Sequence, residues 1–101
     1  MEYVSLGKTG VMVSRLALGL GFRAVTSRED AIRIINLAVD SGINFVDCSN
    51  FYGLVGGAIL SEEILRPFLK TRRDDLVITS KVFGRIGSGP NDYGSSRYHI
   101  M

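Results

Sequence analysis

The sequence is short of several things, and each shortage closes off a class of function. It has one cysteine, Cys48, in 101 residues, so no disulfide can form within the chain, and a reduced, cytoplasmic setting is expected. Cys48 comes after a short apolar run, a place that suits a small buried thiol better than a nucleophile. Net charge is only +2, from twelve basic and ten acidic side chains, which leaves no electrostatic case for a nucleic-acid partner or a membrane surface. The single basic cluster, Lys70, Arg72 and Arg73, is answered at once by Asp74 and Asp75 and reads as a solvated turn. Long apolar runs are missing too. The longest near-apolar stretch, Leu16 to Phe22, falls far below the ~20 residues of a membrane helix, so no membrane insertion is expected. Met1-Glu2-Tyr3-Val4-Ser5 has neither the basic nor the apolar region of a signal peptide. No internal repeat, low-complexity tract or metal site is expected.

What remains is an ordinary globular balance, 46% hydrophobic and 22% charged, enough apolar surface for one small core and one domain over 1–101. Val4–Leu6 and Val11–Val13 flank the turn-rich Gly7-Lys8-Thr9-Gly10 and predict a hairpin. Arg15-Leu16-Ala17-Leu18 reads as a buried strand ending at Gly19. Thr26 or Ser27 offers a helix N-cap, with Glu29 or Asp30 placed to complete a capping box. Ala31, Ile34, Ile35, Ala38 and Val39 then form one apolar stripe at helical spacing, with Arg33, Asn36 and Asp40 on the wetter side. Gly42 ends that helix as a residue able to adopt positive φ.

Ile43-Asn44-Phe45-Val46-Asp47 is a short β-prone run closing on a carboxylate, and Asn50–Leu60 is a loop rich in glycine (Gly53, Gly56, Gly57). Ser61-Glu62-Glu63 opens a second helix with a capping hydroxyl and acidic residues at the positive end of its dipole. Pro67 predicts a kink or an early end there. Leu76–Lys81 is a third strand of the same kind, Gly84–Gly94 is loop, and Ser95 or Ser96 caps a last helix. Strands alternating with helices at these distances define parallel βαβ units and an α/β fold.

In such arrays, active sites gather at the C-terminal ends of the strands. Asp47 ends the second strand, Tyr52 lies in the loop after it, and Lys81 ends the third. A carboxylate and an ammonium at neighbouring strand ends can pair across one rim with the phenol above them. A free tyrosine titrates near ~10 and is a poor acid at neutral pH, and a cation within a few Å favours the phenolate. A buried lysine in that role needs a counter-ion, which Asp47 supplies. Such a trio suits protonation of an alkoxide as a hydride reaches a carbonyl carbon from a nicotinamide.

The text around these residues resembles the opening of aldo-keto reductases. Leu6-Gly7-Lys8-Thr9-Gly10, Val13-Ser14-Arg15-Leu16 and Leu18-Gly19 are similar to its first landmarks. Gly42–Asp47, Phe51-Tyr52-Gly53, Ser61–Leu65 and Thr79-Ser80-Lys81-Val82 match the next ones in order. Gly89-Pro90-Asn91-Asp92 and Ser96–Ile100 resemble the approach to the third helix in one large branch. The resemblance implies the N-terminal portion of a (β/α)8 TIM barrel, incomplete in this chain, with an N-terminal hairpin at its base. It implies NADPH-dependent reduction of a small carbonyl substrate, with Asp47, Tyr52 (the general acid) and Lys81 as catalytic residues. Gly19 and Asp47 match positions near the nicotinamide end of the cofactor.

Departures accompany the likeness. The family's catalytic histidine follows a fourth strand, so His99 is read as a surface or helix-start residue, and the isolated chain is expected to be inactive, a fragment or truncated product. Most cofactor contacts are expected from strands not present here. Leu20 stands where threonine is common, and Arg66-Pro67 replaces a glycine-containing turn. Two rivals stand beside this reading. Gly19-Leu20-Gly21-Phe22-Arg23-Ala24 fits the glycine fingerprint of a Rossmann dinucleotide domain, which requires a helix beginning at the glycines. The Ser96–Ile100 branch also includes β subunits of voltage-gated potassium channels, which would hold NADPH as redox-sensing partners.

Overall fold

The computed structural model describes residues 1–54 and 59–101. Strands β1 (Tyr3–Ser5) and β2 (Met12–Ser14) pair antiparallel, with Val4 opposite Val13. The turn between them is held by Gly7 and Gly10, both at positive φ, and closed by Leu6 N–H donating to Val11 O. The strands of the hairpin are each displaced by one residue from the expected position. The hairpin docks on residues 42–44 through four hydrogen bonds, one of them from Asn44 N–H to Ser14 Oγ at 3.2 Å. Asn44 Oδ1 accepts from Ser14 N–H at 2.7 Å while its Nδ2 donates to Met12 O. Tyr3 Oη donates to Gly42 O at 2.8 Å.

Three further strands, β3 (Ala17–Gly19), β4 (Phe45–Asp47) and β5 (Val77–Thr79), form a parallel sheet in the order β3-β4-β5. Helix α1 (Arg28–Asp40) joins the first pair and α2 (Ser61–Thr71) the second. The register aligns Leu18, Val46 and Ile78 in one row. Val46 is fully buried in the core beneath the helices, and Leu18 and Ile78 pack against that core. Alternation along the strands sends the neighbouring rows to the opposite face. The core itself joins Ala31, Ile35 and Val39 of α1 to Ile64, Leu65 and Phe68 of α2, with Leu20, Cys48 and Leu76 from the strand ends.

Helix α1 begins at the expected cap. Ser27 Oγ accepts from Asp30 N–H and donates to its carboxylate. Its inward face differs by one residue from the predicted stripe, because Ile34 is exposed and Ile32 packs on the core. The helix ends in a Schellman arrangement. Gly42 N–H reaches Val39 O, Ile43 N–H reaches Ala38 O, and Gly42 takes φ +92°.

At α2 two expectations change. Leu60, not Ser61, is the N-cap, without a side-chain hydrogen bond. Ser61 turns its hydroxyl inward, to 3.2 Å from Cys48 Sγ. Pro67 does not end the helix early, since four more residues follow to Thr71. The missing proline N–H leaves the Glu63 carbonyl without its helical donor, and Arg28 of α1 supplies one at 3.5 Å.

The basic cluster forms a solvated turn in which Arg72 pairs with Asp40 and Asp75, both at 3.0 Å. A short final helix, α3 (Arg97–Ile100), is capped by Ser96. The loop expected over residues 50–60 is described at its two ends, while Gly56 and Gly57 lie outside the described residues. Among the described residues no helix is long and apolar enough to cross a membrane.

Candidate active site

Parallel register places Gly19, Asp47 and Thr79 side by side at the C-terminal ends of β3, β4 and β5. The backbone ladder runs on past them. Leu20 N–H donates to Asp47 O, Cys48 N–H to Thr79 O and Asn50 N–H to Lys81 O. The chain therefore stays ordered through the rim, and Lys81 projects from a fixed position two residues beyond Thr79.

Lys81 Nζ donates to Asp47 Oδ2 at 2.7 Å, to Oδ1 at 2.8 Å and to Cys48 O at 2.8 Å. An ammonium has three protons, and these three acceptors account for them. Nζ also lies 4.9 Å from the centroid of the Tyr52 ring, within cation–π range. Tyr52 is held from both sides, with its carbonyl accepting from Ser61 N–H at 2.7 Å and its ring edge-to-face with Phe51 at 5.2 Å. The three residues singled out in the sequence are thus together on one rim. One expectation is corrected, because Lys81 is not buried: its side chain is 46% exposed and that of Asp47 39%. The pair is a rim feature in contact with solvent.

The charges follow from these bonds. Lys81 and then Thr79, by donating to the carboxylate, hold Asp47 below the usual aspartate range, against a smaller opposing effect of desolvation. Asp47 in turn raises Lys81 above the ordinary lysine value. Burial pushes the Cys48 thiol up, partly offset by the Ser61 hydroxyl, as expected of a sequestered thiol.

Beside the trio opens a cleft of about 590 Å³ lined by Gly19, Gly21, Phe22, Arg23, Asp47, Phe51, Tyr52, Gly53 and Leu54. A side chain at Gly19 would meet nothing within 4 Å, so this glycine keeps the floor of the cleft open. Gly53 is fixed by sterics, since a Cβ there would come 2.6 Å from Ile59 O. His99 is the third residue of α3, half-buried rather than on the open surface, and lines a separate hollow with Glu62, Ser80 and Lys81.

Sequence reasoning did not single out Thr79, because only the register between β4 and β5 sets its hydroxyl beside Asp47. Nor did it single out Phe51 or Arg23 as cleft residues. The glycine fingerprint fails its structural test. The helix starts at Arg28, seven residues past Gly21, so no helix N-terminus faces Gly19–Gly21 and the Rossmann reading falls.

Strands and helices alternate as in the units of a β/α barrel, and polar side chains collect at the strand C-termini, where such folds carry their sites. The model of the Aldo/keto reductase family matches residues 15–101, and the chain belongs to that family. An uncharacterized oxidoreductase of Bacillus subtilis is 42% identical over 99% of the chain and 33% of its own length. A probable voltage-gated potassium channel subunit beta of Arabidopsis thaliana is 37% identical over 100% of the chain and 31% of its own. Among solved structures, an aldo-keto reductase of Bacillus halodurans in its holo form superposes with a TM-score of 0.77 at 28% identity, over 99% of the chain and 33% of its own. The chain spans about a third of the length of these relatives, and its three parallel strands form an open section of the barrel.

Proposed function

We propose that this chain, as one domain section over residues 1–101, supplies the proton-donating rim of an NADPH-dependent reductase of aldehydes and ketones in a reduced, cytoplasmic setting. The observation that carries the reading is the Lys81 ammonium, clasped by both oxygens of Asp47 and lying over the ring of Tyr52. In this reading Tyr52 is the general acid. Its Oη gives a proton to the carbonyl oxygen of the substrate as that oxygen becomes an alkoxide. The positive charge of Lys81 stabilises the phenolate left behind, and Asp47 keeps Lys81 charged and in place.

The cleft fits the nicotinamide end of the cofactor. Gly19 leaves its floor free of side-chain atoms, Phe22 and Phe51 supply apolar walls, and its volume is of the size that ring-sized ligands occupy. Gly19 and Asp47 would hold that end of the cofactor, which when bound supplies a hydride to the carbonyl carbon.

The test is a chimera in which residues 1–101 replace the matching third of the Bacillus halodurans enzyme. It reduces a simple aldehyde with NADPH, and Tyr52→Phe lowers kcat by roughly 10²–10⁴. A folded chimera whose Tyr52→Phe variant turns over at the parent rate refutes the assignment. The 101 residues alone do not reduce aldehydes in this reading, because three strands cannot enclose a site that takes about 250 residues of barrel to close. Turnover by the purified chain overturns that part.

A second reading rests on the Arabidopsis relative, similar over the whole chain. The same cleft would then hold NADPH in a redox-sensing β subunit of a channel. Stable co-purification with a potassium channel, with negligible turnover, favours it.

A further inference from the structure

Gly19, Asp47 and Thr79 occupy one row across three parallel strands, so their side chains share one face of the sheet. Gly19 contributes no atoms to that face. Thr79 contributes a hydroxyl, and Thr79 Oγ1 donates to Asp47 Oδ1 at 2.9 Å. The same oxygen accepts from Lys81 Nζ, which also binds Oδ2. A carboxylate turns easily about its last torsion, whose energy wells are broad. A flexible lysine alone would follow that rotation. Threonine is different, because branching at Cβ makes it stiff at χ1, and a strand fixes its backbone. A donor on a rigid stem, one strand away, sets the plane of the carboxylate.

We propose that Thr79 is a positioning residue of this site: its hydroxyl fixes the Asp47 carboxylate so that both oxygens face Lys81, and thereby holds the ammonium over the Tyr52 ring. The effect on turnover rests on the carbonyl-reduction reading, while the contact itself does not. The charged and titratable groups of this rim come from several elements. Lys81 follows β5, Tyr52 lies on the loop after β4, and Arg23 lines the cleft on the loop after β3. Glu62 of α2 is engaged by the Ser80 hydroxyl. Lys81 is the only one of these to donate to Asp47, and Thr79 is its neutral counterpart.

The experiment follows the Asp47 side-chain carboxyl carbon and the Lys81 ε-methylene protons by NMR across a pH series, in the isotope-labelled 101-residue chain. Wild type is compared with Thr79→Val, Thr79→Ala and Thr79→Ser. In the Val and Ala variants the Asp47 midpoint moves up toward that of a free aspartate, about 3.9. The Lys81 methylene signals lose the upfield shift imposed by the Tyr52 ring. Thr79→Ser, which keeps a hydroxyl, stays with wild type on both measures. A variant without the hydroxyl that titrates as wild type overturns the proposal, and so does a Ser variant that behaves like Val. A purely structural threonine would not sort the variants by hydroxyl.

In the chimera, Thr79→Val lowers kcat about tenfold with KM for the aldehyde unchanged, the loss expected for one hydrogen bond to a charged group, and Ser restores it. Absence of all turnover in the unsubstituted chimera counts against the carbonyl-reduction reading alone, and the titration still decides the role of Thr79.

Discussion

Replacing Gly42 by alanine tests the junction that delivers β4, and with it Asp47, from the end of α1. Gly42 holds φ +92°, a conformation that costs an L-residue roughly 1–2 kcal/mol. The added Cβ would also lie 2.9 Å from Met1 Cβ and 3.2 Å from Tyr3 Oη. Carbon atoms prefer about 3.5–4.0 Å, so Met1 must give way, which an exposed terminal residue does at little cost. Tyr3 is less free, because its hydroxyl donates to Gly42 O itself, and displacing that bond costs about 0.5–1.5 kcal/mol. The sum is about 2 kcal/mol. For a domain of this size that corresponds to a fall in Tm of roughly 10 °C, read by circular dichroism. The same substitution in a Tyr3→Phe background costs less, because the hydroxyl contact is already gone. A Gly42→Ala protein melting within about 2 °C of wild type would refute the argument, and equal losses in both backgrounds would refute the part assigned to Tyr3.

Gly19→Ala has the opposite profile: its Cβ meets no protein atom, so the Tm stays unchanged while NADPH affinity of the chimera, measured by fluorescence titration, falls. The Asp47–Lys81 pair predicts a pH window. The lowered pKa of Asp47 means its contribution is complete above the unfolded value of about 3.9 and drains as pH falls through the folded one. The raised pKa of Lys81 means its contribution is complete below about 10.4 and drains as pH rises through the folded value. The gap in urea midpoint between wild type and Asp47→Asn is therefore widest between those limits and narrows at both ends, and a gap constant across the range contradicts the pairing. Pro67→Ala relieves the ring's clash with the preceding turn and gives the Glu63 carbonyl a helical donor in place of Arg28, so that, after allowing for the looser unfolded chain, stability in urea denaturation rises by about 1 kcal/mol.

Much of the α/β order was legible because each boundary carries its own local chemistry. Ser27 caps, Gly42 turns, and the β-prone runs are bounded by glycine or by charge. The departures share a different cause, which is that they depend on partners distant in sequence. Apolar residues surround nearly the whole of α1, with Ile32, Ile34, Ile35 and Leu37 all present, so periodicity alone could not choose between Ile32 and Ile34 for the core. Ser61 looked like a cap until Cys48 offered its hydroxyl a buried neighbour. Pro67 sits inside a helix because Arg28, on another helix, answers the carbonyl it strands. At the site, the pairing of Asp47 with Lys81 could be read from strand ends, whereas the role of Thr79 required the register between two strands.

The order β3-β4-β5 also sets which part of the rim breathes. Strand β4 has a ladder on each side, while β3 and β5 each keep one edge unpaired within this sheet. Amide protons of the strand bearing Asp47 should accordingly be the last to exchange with deuterium, and those near Gly19 and Thr79 should go sooner. The carboxylate at the centre would then be anchored in the backbone that opens last.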